Sequence, residues 1–134
     1  MIVSIDHVVI TTTNLEKLIH FYTKILEMEL KKEFFKENNS TMYSLHFGNQ
    51  KINIHEIDKI FSPHAHQVYA GSLDLCFISE KKISYWQNKF KKHGVKIIDG
   101  PVKRSGAIKN LVSIYIRDPD LNLIEISNYI VLNA

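Results

Sequence analysis

Four side chains in this 134-residue chain have the types and placement to hold a divalent cation together: His7, His55, Asp74 and Glu125. Glu125 makes the strongest demand. It stands between Ile124 and Ile126 in SIYIRDPDLNLIEISNY, residues 113–129, and an ionised carboxylate withdrawn from water requires a cation or a donor beside it. Two imidazoles with one or two carboxylates form a borderline-to-hard donor set, suited to divalent Zn, Ni, Mn, Co or Fe rather than to Cu(I). Taken singly, each residue also has a purely structural reading. His7 follows Asp6 and can be a hydrogen-bonded strand histidine, Asp74 can cap a turn or face solvent, and His55 adjoins Glu56, with which a one-residue slip of register would exchange faces.

The elements that must position these residues occur twice along the chain. SIDHVVITTT, residues 4–13, is a β-branched run, and NLEKLIHFYTKILEM, residues 14–28, places Leu15, Leu18, Ile19, Tyr22, Ile25 and Leu26 at helical spacing, with Asn14 or Thr13 as N-cap. TMYSLHF and KINIHEI then alternate with period two around GNQ, the pattern of a hairpin. The same order returns in SLDLCFIS (72–79), a helix carrying Ile83, Trp86 and Phe90 and stopped at Gly94, a short strand in GVKIIDGPV, and a hairpin across DPDLN. The expected fold is α+β, with two βαβββ modules at about 3–59 and 71–129 in one domain spanning 1–134. Residues 60–70, with Pro63, His64 and His66, form the linker.

Superimposing the final strands of the two halves without gaps sets His55 on Glu125, and superimposing the first strands sets His7 on Asp74. Strand alternation puts Ile52 and Ile54 on one face and Asn53 and His55 on the other, and likewise separates Ile124 and Ile126 from Leu123, Glu125 and Ser127. With helices on the convex side of the mixed sheet, against the Ile-rich faces, the four candidate ligands line a cup. Tyr115 shares the inward face with Ser113 and Glu125 if the hairpin register holds.

Composition excludes other classes. Net charge is +3, 45% of residues are hydrophobic and the lysines are dispersed, so no basic, aromatic-rich tract for nucleic acid is present. The one cysteine, Cys76, rules out a disulfide framework and reads as a small buried thiol. No apolar run approaches the roughly 20 residues of a membrane span, and the first residues carry no charged leader, so a cytoplasmic location is the default expectation.

IDHVVI, the helix after it and above all RDPDLNLIEISNY resemble the vicinal oxygen chelate superfamily of glyoxalases, bleomycin-resistance proteins and extradiol dioxygenases, over about residues 3–129. FGNQKINIHEI with GSLDLCFI is similar to its glyoxalase-domain-containing subgroup. The resemblance implies a divalent metal that chelates substrate through adjacent oxygens, with His7 and Glu125 as ligands. His55 matches the place where some glyoxalase I members use glutamate. Asp74 stands where the family commonly has histidine, so either the metal sphere is richer in carboxylate or that ligand role is lost. A homodimer is also implied. Glu27 and Leu121 replace glycines common in the family, at turns where positive φ costs a side-chain-bearing residue about 1 kcal/mol.

The expected function is a metal-dependent enzyme acting on a small oxygenated substrate, of glyoxalase I-like or extradiol dioxygenase type. The ion serves as Lewis acid, Glu125 as base, and Tyr115 either as a hydrogen-bond donor or as a core tyrosine. Arg104 in KRSGA either meets an anionic substrate or lies on the surface. The alternatives are a metal-free drug-binding protein of the bleomycin-resistance kind and a thiol transferase of the fosfomycin-resistance kind.

Overall fold

The computed structural model describes residues 1–131, in two compact units, Met1–Gly71 and a second beginning at Ser72. Each is a βαβββ module of the α+β class.

In the first unit the elements are β1 (His7–Thr12), α1 (Leu15–His20), β2 (Glu29–Phe35), β3 (Ser40–Phe47) and β4 (Gln50–Glu56). The sheet order is β1-β4-β3-β2, with β1 parallel to β4 and the other pairs antiparallel. Asn14 caps α1, its Oδ1 accepting from the Lys17 N–H at 3.1 Å. The helix expected to run to residue 28 changes character after His20, and Phe21–Ile25 form a π-helical stretch in which the Leu26 N–H reaches back to the Phe21 carbonyl at 3.0 Å. Its wider turn accompanies the burial of two adjacent rings, Phe21 and Tyr22, packed edge to face at 5.2 Å. These rings, Leu18 and Ile25 are buried along with Ile10, Leu45, Ile52 and Ile54 of the sheet.

The second unit contains β5 (Asp74–Ile78), α2 (Ile83–Lys92), β6 (Asp99–Ser105), β7 (Asn110–Arg117) and β8 (Leu123–Tyr129), in the order β5-β8-β7-β6. Again the first strand lies parallel to the last. Helix α2 buries Ile83, Trp86 and Phe90 and packs on β7 and β8, where Ile114, Ile116, Ile124 and Ile126 are buried. Gly94 ends this helical segment at φ +70°.

The turn between β7 and β8 is held by buried polar groups. Asp118 Oδ1 accepts from the N–H groups of Asp120 and Asn122, each at 3.0 Å, while its Oδ2 takes the Asn122 amide at 2.8 Å. Asn122 Oδ1 in turn accepts from the Leu73 N–H at 2.9 Å, tying the turn to the start of β5. Leu121 adopts φ +70° and Glu27 φ +65°, the conformations glycine would take most cheaply. Among the described residues no helix is long and apolar enough to cross a membrane.

Two substitutions in this turn have opposite expected outcomes in urea unfolding. Asn122→Ala removes a donor to the buried Asp118 carboxylate and the acceptor of the Leu73 N–H and lowers stability by about 2–4 kcal/mol. Leu121→Gly relieves the left-handed residue without loss of burial, since Leu121 is exposed, and raises stability by about 0.5–1 kcal/mol.

Candidate functional site

The face of the second sheet opposite α2 is organised in rows set by register. One row runs Cys76, Glu125, Tyr115, Asp99 across all four strands, and the next runs Ile78, Ser127, Ser113, Val102. Asp74 precedes Cys76 by two residues on the same face, level with Leu123. The isoleucines that bracket Glu125 in the sequence point to the helix side, so the half-buried carboxylate lies among polar groups rather than apolar ones. Cys76, expected inside, is exposed because alternation carries it to this face with Asp74 and Ile78.

Glu125 is held from behind by hydroxyls. The Ser127 Oγ–H donates to Glu125 Oε2 at 3.3 Å, and the Ser113 and Ser127 oxygens, both fully buried, are 2.6 Å apart. Cys76 Sγ lies 3.3 Å from the same Ser127 oxygen. Although the residue is exposed, desolvation by the groups packed around its sulfur raises the Cys76 thiol above its ordinary value; the Ser127 hydrogen bond opposes that rise and Glu125 adds to it. The Tyr115 phenol is raised too, first by burial and then by Glu125, against the lowering by Arg104. Arg104 donates from Nε to the Tyr115 oxygen at 2.9 Å, and its guanidinium carbon sits 5.4 Å from the ring centre.

Arg104 reaches this face through a bulge. Asp99 pairs with Tyr115 and Val102 with Ser113, so β6 spends three residues where β7 spends two. The extra residue shifts the alternation and brings Asp99 and Arg104, five positions apart, to the same side, with Arg104 Nη2 3.6 Å from Asp99 Oδ2. Gly100 permits it at φ +92°, where a β-carbon would run into the Ser113 carbonyl oxygen. The residue order left the direction of Arg104 undecided, because parity across a bulge is not visible in it.

On the first sheet, His7 lies on the face opposite the buried Ile10, its Nδ1 2.8 Å from Asp6 Oδ2. Its register partner is Lys51, whereas His55 is level with Thr11. The two imidazoles are thus four residues apart along the strands, about 13 Å at the usual rise, and do not stand side by side. His55 is buried, and its ring packs edge to face against Phe61 at 5.4 Å. The parallel registers also correct the match between repeats. Glu125 pairs with the residue two after Asp74, and the residue standing in that relation to His7 is Asn53, the partner of Val9. With His7 set on Asp74, the counterpart of Glu125 is Asn53, so the two gapless superpositions, of the first strands and of the final strands, do not hold together.

Carboxylates at Asp74 and Glu125 and an imidazole at His7 are donors of the kind a borderline-to-hard divalent ion takes. Among the described residues, no three His, Cys, Asp or Glu side chains are gathered into a set able to hold an ion. The donor types fit a metal.

Residues 4–126 match the family model described as the Glyoxalase/Bleomycin resistance protein/Dioxygenase superfamily, and the chain belongs to that superfamily. It is 44% identical over 126 residues to "Glyoxalase domain-containing protein RDO1" of Mycosarcoma maydis, covering 94% of this chain and 68% of the relative. It is 42% identical to "Virulence protein STM3117" of Salmonella typhimurium, covering 94% and 84%. The crystal structure of that Salmonella protein superimposes with a TM-score of 0.87 over 97% of this chain and 99% of its own. An integron cassette protein from V. cholerae gives the same TM-score at 42% identity, covering 97% and 98%.

Burial holds the His55 imidazole below its ordinary value, with the charge of His64 adding to the effect. The unfolded chain takes up this proton near pH 6.5, before the folded chain does, so stability is fully present above that value and is lost as pH falls through the folded one. Urea midpoints at pH 7.5 and 5.5 are expected to fall further in the wild type than in His55→Phe.

Proposed function

We propose that the protein is a divalent-metal-dependent enzyme of glyoxalase type, acting on a small oxygenated substrate. The observation that carries this reading is the half-buried Glu125 carboxylate, backed by the Ser127–Ser113 hydroxyl pair and directly opposite the Tyr115 phenol on the adjacent strand. That is how a reactive acid is oriented, because the group is fixed by hydroxyls and, among the described residues, no cation is in hydrogen-bond contact with it. His7, Asp74 and Glu125 are the proposed ligands. When bound, the ion would supply Lewis acidity toward substrate oxygen.

The chain's own groups then have separate tasks. Glu125 accepts a proton from the carbon beside the polarised oxygen, and Ser127 keeps the receiving carboxylate in place. Tyr115, its phenol raised and therefore protonated at neutral pH, donates a hydrogen bond to a substrate oxygen while accepting one from Arg104. The two-histidine, one-carboxylate set of a dioxygenase would require His55 with His7, which their separation along the strands opposes. A homodimer acting in the cytoplasm belongs to this same reading.

Elemental analysis of gently purified protein tests the proposal. Wild type is expected to carry about one equivalent of divalent metal per chain, with a loss of tenfold or more in His7→Ala and in Glu125→Ala. Full metal content in both variants overturns the ligand set. A substrate panel of methylglyoxal hemithioacetal, catechols and fosfomycin then sorts the reactions, with turnover expected on the first.

A further inference from the structure

Beside Glu125 the second unit contains a hollow of about 360 Å³ whose other walls include Ile78, Ala107, Leu111, Tyr129 and Arg104. This volume is within the range of small-molecule sites. Its walls are of two kinds. Ile78 on β5 leaves 46% of its surface exposed, and the buried Leu111 lies on the same face two strands away, on β7, so an apolar surface is available. Level with Leu111 on the neighbouring strand stands Arg104, a guanidinium with capacity to spare.

The donor inventory of Arg104 shows that capacity. Nε donates to Tyr115 and one Nη1 proton goes to the Lys103 carbonyl at 3.1 Å, while Nη2 finds Asp99 only at 3.6 Å, beyond hydrogen-bond reach. Of the five N–H groups of an arginine, three are thereby left for a ligand. The pair with Asp99 is more than half exposed on the acid's side and is weak. The hydrogen bond from Nε to the Tyr115 oxygen meanwhile holds the guanidinium at this face. Gly106 contributes by its lack of a side chain. A β-carbon there would strike the Lys109 carbonyl and crowd Leu111, so glycine lets the 105–109 turn fold tightly at the edge of the hollow.

We propose that this hollow is a binding subsite for a small apolar carboxylic acid. The carboxylate engages the free N–H groups of Arg104, and the hydrocarbon part rests against Ile78 and Leu111. Only the identification of the bound acid as part of the substrate rests on the function proposed above; the binding itself needs no metal.

The test uses the full chain, metal-free, titrated with benzoate at constant ionic strength and followed by amide NMR. Benzoate is expected to shift Ile78, Gly106 and Leu111, and benzyl alcohol, equal in shape but neutral, to bind about tenfold more weakly. Arg104→Met, checked for native amide dispersion, is expected to lose about tenfold in benzoate affinity, with Arg104→Lys recovering part of it. Because benzoate is titrated into metal-free protein while metal content is read on gently purified protein, the subsite and the metal reading stand or fall separately. Equal benzoate affinity in wild type and Arg104→Met, or shifts confined to other residues, overturns the subsite.

Discussion

The structure depends on parallel pairing of the first strand of each unit with its last. That contact fixes which residues stand level, and because side chains alternate, it also fixes which ones leave for the helix side. In the second unit it sends Ile124 and Ile126 toward α2 and Glu125 to the opposite face, beside Cys76. Were the register to slip by one position, a carboxylate would enter the apolar layer at a cost of several kcal/mol, so the packing energy of the isoleucines and the polarity of the other face enforce the same alignment.

The β7–β8 turn secures that alignment from its end. Asn122 receives the Leu73 N–H, and the Leu123 N–H donates to the Leu73 carbonyl at 3.0 Å, so the residue before β5 is clamped on both sides. Asp118, almost wholly buried, satisfies the turn's own donors. A tightly satisfied polar knot of this kind tolerates Leu121 in the left-handed region, because the surrounding hydrogen bonds outweigh about 1 kcal/mol of local strain.

Much of this was legible in the residue order, for identifiable reasons. The doubled strand-helix-strands pattern, the Asn14 cap, the Gly94 stop and the shared face of Ser113, Tyr115 and Glu125 all follow from local periodicity. The positive φ at Glu27 and Leu121 was legible only through the family resemblance, which sets glycine at both turns. Where longer-range register mattered, the sequence was silent. Matching the strands end to end could not reveal that Lys51, rather than Asn53, lies beside His7, and so it could not show that setting His7 on Asp74 conflicts with setting His55 on Glu125. The exposed Cys76 was masked by an apolar run whose alternate members serve different faces. The change from α to π after His20 had no signal beyond two neighbouring aromatics.

The bulge in β6 makes the count of residues between Asp99 and Val102 as consequential as their identity. Removing a single one would restore simple alternation and turn the guanidinium of Arg104 into the hydrocarbon layer beneath the sheet, while the backbone path stayed nearly the same. Removing or adding two would preserve its direction. In lineages related to this chain, length changes in that stretch should therefore come in even steps wherever an arginine follows, and an odd step should be accompanied by an apolar residue in its place.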